Sequence, residues 1–148
     1  MSFKPNGTII TAKRQKEAFM VIIKYTPVSC RSMAVGGVQK RAYNQVVHGI
    51  FKISDKDFAV IAGTSVRTLA RLKPDDLLPF QTAEVIISLM RAHQKATEIF
   101  GSEEKSVEWL KSPNTVLGGI SPVQALNSRF GAEEVMDILG RIEYGVYS

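Results

Sequence analysis

The strongest constraint on this chain lies in its middle, where ISDKDFAVIAGTSVRTLARLKPDD runs from Ile53 to Asp76. Ser54 or Asp55 can cap a short helix, because a small polar side chain there accepts from the open N–H groups of the first turn. Phe58, Ile61 and Ala62 then fall on one face at helical spacing. Gly63 takes positive φ without steric cost, so the helix stops there. Thr64 or Ser65 caps a second helix, with Val66, Leu69 and Leu72 turned inward, and Pro74 bars its continuation. Ala59 is small enough to let the second helix cross close to the first. The spacing predicts a helix-turn-helix.

Ser65, Arg67, Thr68, Arg71 and Lys73 are left facing outward. In a DNA-binding unit the first part of the second helix enters the major groove. Ser65, Arg67 and Thr68 are then expected at base edges, with Arg67 the best candidate for a bidentate contact with guanine, and Arg71 and Lys73 at phosphate. Helical pairs of this shape also serve as plain scaffold, and spacing alone does not separate the two roles.

Charge adds direction to that reading. The chain of 148 residues carries a formal net charge of +5. Residues 1–49 hold +7 and residues 50–73 hold +3, whereas 74–100 hold −2 and 101–148 hold −3. One half therefore suits a polyanion and the other does not. With 45% hydrophobic residues and 22% charged ones, the chain is expected to fold as one ordinary domain, or as two small ones sharing a core. The single cysteine, Cys30, has no internal partner and reads as a buried, inert thiol in a reducing, cytoplasmic setting. No run reaches the roughly eighteen apolar residues of a membrane span, and the start lacks a secretory pattern, so no membrane role is expected.

Around the central unit the elements read as helices. Residues 1–37 form a basic arm of uncertain structure, with a turn signal at Pro5–Gly7. FMVIIKY at Phe19–Tyr25 reads as a buried strand or short helix, TPVSCRSMAVGG as loop, and Gly36-Gly37 as a break. From Val38 a helix is expected with Val38, Ala42, Val46 and Val47 on one side, ended by Gly49 and carrying His48 in its last turn. LLPFQTAEVIISLMRAHQKATEIFG gives the longest helix, apolar around Val85, Ile86, Ile87, Leu89, Met90, Ala96, Ile99 and Phe100, and Gly101 ends it. Such width predicts burial on two sides, as a spine between the basic and acidic halves. Ser102 caps the next helix, with Glu103 and Glu104 in its first turn, and Val107, Trp109 and Leu110 form its apolar side with Trp109 as core anchor. PNTVLGGIS makes a compact loop. Ser121, Pro122 and Gln124 satisfy capping-box chemistry for a short helix ending near Gly131. A last helix over AEEVMDILGRIEY places Val135, Ile138, Leu139 and Ile142 inward.

No catalytic constellation is visible. His48 and His93 have no metal-ligand partners at the required spacing, the Gly118-Gly119 loop lacks the lysine of a phosphate-binding loop, and no nucleophile has a base and acid beside it. The chain is therefore read as a binding protein with no metal and no cofactor. Its oddest feature is the end: Tyr144, Gly145, Val146, Tyr147 and Ser148 follow the last helix with no element to cover them.

At this point the residues carry a resemblance. A helix-turn-helix ending in RTLARLK, a long helix reaching ATEIFG, then EWLKSPNTVLGGISPVQAL and a terminal LGRIEYGVYS resemble the Xre/MbcA/ParS family of bacterial antitoxins over roughly Val46–Ser148. The second half is the more specific, with Trp109-Leu110, Pro113-Asn114, Leu117-Gly118-Gly119, Ser121-Pro122 and Arg141–Val146 in the family's order. The resemblance implies an all-α chain in two parts. They are a helix-turn-helix DNA-binding domain (38–80) and a linking helix with a small toxin-binding domain (81–148), preceded by the basic N-terminal arm (1–37), where the chain departs from the family. It further implies an antitoxin of a type II toxin–antitoxin pair. One half would bind the operon's own promoter DNA as a repressor, and the other a cognate RES-type toxin that degrades NAD. Arg141, Glu143, Tyr144, Gly145, Val146, Tyr147 and Ser148 would cover the toxin's active site. Two-fold operators imply a homodimer. The alternative is a stand-alone dimeric helix-turn-helix repressor that answers to no toxin.

Overall fold

The computed structural model describes residues 24–145. The expectations for residues 1–23 and for Val146, Tyr147 and Ser148 lie outside them. The described part is all-α, as expected. Its only β-type pairing is an isolated bridge between Gln39 and Leu77.

Helix α1, Pro27–Gly36, stands where a loop was expected. Thr26 accepts from the Ser29 N–H and the Ser29 side chain accepts from the Thr26 N–H, so the two close a reciprocal capping box. Pro27 at the first helical position is already fixed near helical φ. The loop reading failed because serine, rather than Glu or Gln, completes the box. Gly37 ends the helix at φ 85°, as the glycine pair predicted.

Helix α2, Lys40–Tyr43, opens directly into a wider π-helical segment, Asn44–Ile50. Gly49 does not stop it, since the ladder shifts register and the Phe51 N–H reaches back to the Val46 carbonyl at 3.0 Å. Val38, Ala42, Val46 and Val47 are all buried, so the expected apolar side is correct. Beyond the segment Lys52 takes φ 52°, an uncommon conformation for a lysine, where the chain turns toward the next helix.

Helices α3, Asp55–Ala62, and α4, Val66–Arg71, follow across the turn Gly63–Ser65. Ser54 accepts from the Asp57 N–H, Gly63 is left-handed at φ 65°, and Ser65 accepts from the Thr68 N–H. Phe58, Ala59, Ala62 and Leu69 are buried, while Ile61 and Leu72 are half-buried. Val66 departs from expectation, being 43% exposed. At the first helical position after the cap it stands on the outward side, beside Arg67.

Helix α5, Phe80–Phe100, is the axis of the fold and touches α1, α3, α6 (Glu103–Lys111) and α8 (Arg129–Glu143). Its buried positions Thr82, Ala83, Val85, Ile86, Ile87, Leu89, Met90, Ala92, His93 and Ala96 cover more than one face, as burial on two sides requires. One apolar cluster runs from Tyr25 to Leu139. Trp109 is not a core anchor. It is half-buried and lies on Phe100 with ring centroids 5.8 Å apart, and Leu110 fills the core instead.

Two boundaries in the last third also differ. Helix α7 is only Pro122–Ala125, and α8 starts at Arg129 with Ser128 as cap, so Gly131 lies inside α8 rather than ending α7. The reason is close packing. A Cβ on Gly131 would stand 1.8 Å from the Ala125 carbonyl oxygen, so glycine is required there by contact and not as a helix stop. Val135, Ile138 and Leu139 are buried, whereas Ile142 is half-buried.

Candidate functional site

Two surfaces emerge, one on α4 and one at the end of α8. On α4 the residues expected at DNA are brought together: Ser65, Arg67, Arg71 and Lys73 are exposed and Thr68 is half-buried. Their polar atoms are not equally available. The Ser65 hydroxyl accepts from the Thr68 N–H at 3.0 Å and lies 2.9 Å from the Thr68 hydroxyl. Both hydroxyls thus serve the helix cap, which leaves Arg67 and Arg71 as the groups projecting from the helix. Val66 joins them as an apolar neighbour that periodicity had assigned to the core.

The acidic pair after α4 is engaged by neighbouring groups. Asp75 pairs with Arg41 at 2.6 Å, and the Asp76 carboxylate accepts from the Lys73 N–H at 2.8 Å. Behind the surface, Lys40 is buried, donates to the Leu69 carbonyl at 2.9 Å and lies over the Tyr43 ring. A buried ammonium satisfied in this way fixes the end of α4 to α2.

A small polar cluster locks α3 to the π-helical segment. The Tyr43 hydroxyl donates to Asp55 at 2.6 Å, and His48 Nε2 lies 2.7 Å from the same carboxylate oxygen. Burial pushes the Asp55 carboxyl up. The hydrogen bonds from Tyr43 and His48, with the charges of His48 and Lys40, outweigh this and hold it below the ordinary carboxylate range. Desolvation, reinforced by Asp55, raises the Tyr43 hydroxyl. Sequence reasoning placed His48 at a helix end but missed the pairing. The seven-residue separation from Asp55 becomes a contact only once the π-helical turn and the turn at Lys52 bring the chain round.

His93 is buried in α5, with Nδ1 2.8 Å from the Ser106 hydroxyl and its ring edge-on to Phe51 at 5.3 Å. It is a structural histidine joining α5 to α6. Burial lowers its pKa from the ordinary 6.5, against a smaller opposing effect of Glu103. A folded-state pKa below the unfolded one means that the unfolded chain binds the proton first. Stability from this group is therefore full above about pH 6.5 and is lost as pH falls through the lowered value. Urea denaturation at about pH 7.5 and about pH 5 is expected to show lower stability at the acidic value, with the difference reduced in His93→Gln.

At the other end of the molecule, α8 closes at Glu143. Arg141, Glu143, Tyr144 and Gly145 are exposed, and Tyr144 keeps 80% of its surface open. Glu143 is not simply a surface acid: its carboxylate pairs with Lys95 of α5. The hydrogen bond from Lys95 to Glu143 raises the Lys95 pKa despite slight desolvation. Lys95, one helix away and 48 residues earlier, was not foreseen, and no local sequence signal marks it. The loop after α6 holds itself together, with the Asn114 side chain accepting from Val116 and left-handed Gly118 and Gly119 at φ 75° and 92°.

Among the described residues no three His, Cys, Asp or Glu side chains stand together as a metal site. No described helix is long and apolar enough to cross a membrane.

Comparison with known proteins falls on the second of these surfaces. Residues 95–145 match the model of the antitoxin Xre/MbcA/ParS C-terminal toxin-binding domain. Antitoxin Xre of Photorhabdus laumondii is 31% identical over 94 residues, which is 62% of this chain and 64% of that protein. Antitoxin Xre of Yersinia enterocolitica is 35% identical over 89 residues, or 58% of this chain and 60% of that one. The matched stretch is thus less than two thirds of the length of either relative. The match begins at Lys95 and ends at Gly145, so it includes both partners of the ion pair that fastens α8 to α5. Through these residues the chain is similar to the toxin-binding domain of the Xre/MbcA/ParS antitoxins.

Proposed function

We propose that this chain is the antitoxin of a type II toxin–antitoxin pair and acts by binding rather than by turnover. Its C-terminal segment, Arg141–Ser148, covers the active site of a cognate RES-type, NAD-degrading toxin. Its α3–α4 unit binds the promoter of its own operon, as a homodimer in the cytoplasm. The observation that carries the reading is the family match over residues 95–145 together with the exposed last turn of α8, where the family's toxin-binding residues would fall. Lys95 is added as a positioning residue that sets the direction of that turn through Glu143.

Co-expression with the product of the adjacent open reading frame, followed by a pull-down, tests the toxin half. Capture of that product and rescue of growth are expected. A chain that captures nothing, yet still binds its promoter, is a stand-alone repressor.

For the DNA half, Arg67→Ala is expected to weaken promoter binding by about 1–3 kcal/mol and to relax the base preference at one position. Arg71→Ala is expected to weaken binding to every sequence alike and to reduce the salt dependence by about one counterion. Gel-shift titrations at several salt concentrations read both. Unchanged affinity and slope in the two variants would make α3 and α4 scaffold.

A further inference from the structure

Helix α4 presents two rows of side chains to solvent. Val66 and Ala70 are four residues apart and share a face, and so do Arg67 and Arg71. All four are exposed, Val66 at 43%. Neighbouring residues on a helix stand about 100° apart, so an apolar row runs beside a basic one. A single exposed valine is ordinary on a protein surface. What sets Val66 apart is the set of groups around it.

The exposed side of α4 is short of hydrogen-bond acceptors. Its sequence, VRTLAR, holds no Asp, Glu, Asn or Gln. The Ser65 and Thr68 hydroxyls lie 2.9 Å from each other, and Ser65 also accepts from the Thr68 N–H. Beyond the helix, Asp75 pairs with Arg41 and Asp76 accepts from the Lys73 N–H. What α4 offers a partner is therefore guanidinium and hydrocarbon.

The four bases make different demands in the major groove. Guanine presents the acceptors N7 and O6, which suit an arginine. Adenine and cytosine each present an amino donor, and they are matched by Asn or Gln and by Asp or Glu. Thymine presents a methyl group, for which an apolar side chain is the partner. With guanine taken by Arg67, the base that the remaining chemistry of α4 fits is thymine.

We propose that Val66 reads the C5-methyl of a thymine beside the guanine taken by Arg67, with Ala70 keeping that side of the helix free of polar groups. The inference rests on the reading of α3 and α4 as the DNA-binding unit, and it goes beyond that reading in naming a second base. Valine has no charge to offer a phosphate, so its contribution goes to base preference and not to salt dependence.

Promoter DNA amplified with deoxyuridine triphosphate in place of thymidine triphosphate loses every C5-methyl while keeping its charge and its pairing. In gel shifts the full-length chain is expected to bind this uracil duplex about fourfold more weakly for each methyl lost from a Val66 contact, and about fifteenfold more weakly where a dimer covers two half-sites. Val66→Ala is expected to weaken binding to the thymine duplex by a similar factor, to bind the uracil duplex as well as the wild type does, and to leave the salt dependence and the helicity by circular dichroism unchanged. Val66→Thr keeps one methyl in place and is expected to regain part of the preference for the thymine duplex. Equal binding of the two duplexes by the wild type, with Arg67→Ala still weakening both, would overturn the inference and leave the promoter reading standing. A thymine preference that survives in Val66→Ala would overturn it as well, since the methyls would then act elsewhere or through the shape of the duplex. A wild-type chain that binds neither duplex would remove the promoter reading and the inference together.

Discussion

Gly131→Ala is expected to destabilise the protein by about 3 kcal/mol, in a direction opposite to that of the same change in an ordinary helix. In a helix interior alanine usually gains close to 1 kcal/mol over glycine, because glycine loses more backbone freedom on folding. Here the added Cβ would lie 1.8 Å from the Ala125 oxygen, 2.8 Å from its carbonyl carbon and 3.4 Å from its Cα. All three are backbone atoms of α7, which no rotamer change can move aside. Relief requires α8 to separate from α7, and α8 carries Val135 and Leu139 into the shared core. The measurable result is a lower urea midpoint at unchanged slope, with the thermal midpoint falling in step. A neutral or stabilised Gly131→Ala would mean that α7 and α8 do not meet as closely as the geometry requires.

The same glycine shows where sequence reading ended. Features set by near neighbours were legible: Ser54, Gly63 and Ser65 fix α3, the turn and α4 through contacts no more than four residues apart. Ser121 and Gln124 fixed the start of α7 in the same way. The apolar stripe of α5 was legible because twenty-one residues leave little ambiguity of period. Gly131 looked like a stop because its real partner, Ala125, is a backbone atom that no side-chain pattern reveals. Val66 was assigned inward by its spacing from Leu69, yet a six-residue helix offers too few turns for spacing to fix a face. Trp109 shares an apolar side with Val107 and Leu110, and that pattern does not tell which of them is the core anchor; it is Leu110 that is fully buried. The π-helical segment and Lys52 have no sequence signal at all, and the Tyr43–Asp55–His48 cluster depends on both. Lys95 was invisible for a different reason, since the exposed pair it forms with Glu143 joins residues far apart in the chain.

A chain ending at Gly140 is expected to keep its fold and its promoter binding while losing toxin neutralisation. The core argues for the first part. Val135, Ile138 and Leu139 remain, and what is removed is half-buried Ile142, the exposed Glu143–Lys95 pair and exposed Arg141, Tyr144 and Gly145, with the residues after them. An exposed ion pair is worth at most about 1 kcal/mol, so circular dichroism and gel shift should change little. The second part follows from what the last turn offers a partner. Tyr144 is 80% exposed and, as an aromatic residue with a polar tip, is of the kind that anchors interfaces. Tyr144→Ala alone is expected to cost about 2 kcal/mol of toxin affinity, close to a thirtyfold weakening. Lys95→Ala separates contact from positioning. If Glu143 meets the toxin directly, freeing it from Lys95 leaves affinity unchanged or stronger. If the pair instead holds the last turn in the right direction, Lys95→Ala and Glu143→Gln weaken binding alike and the double variant is no worse than either single one. Growth rescue and affinity measured across these variants decide between the two, and full neutralisation by the chain ending at Gly140 would remove the last turn from the mechanism altogether.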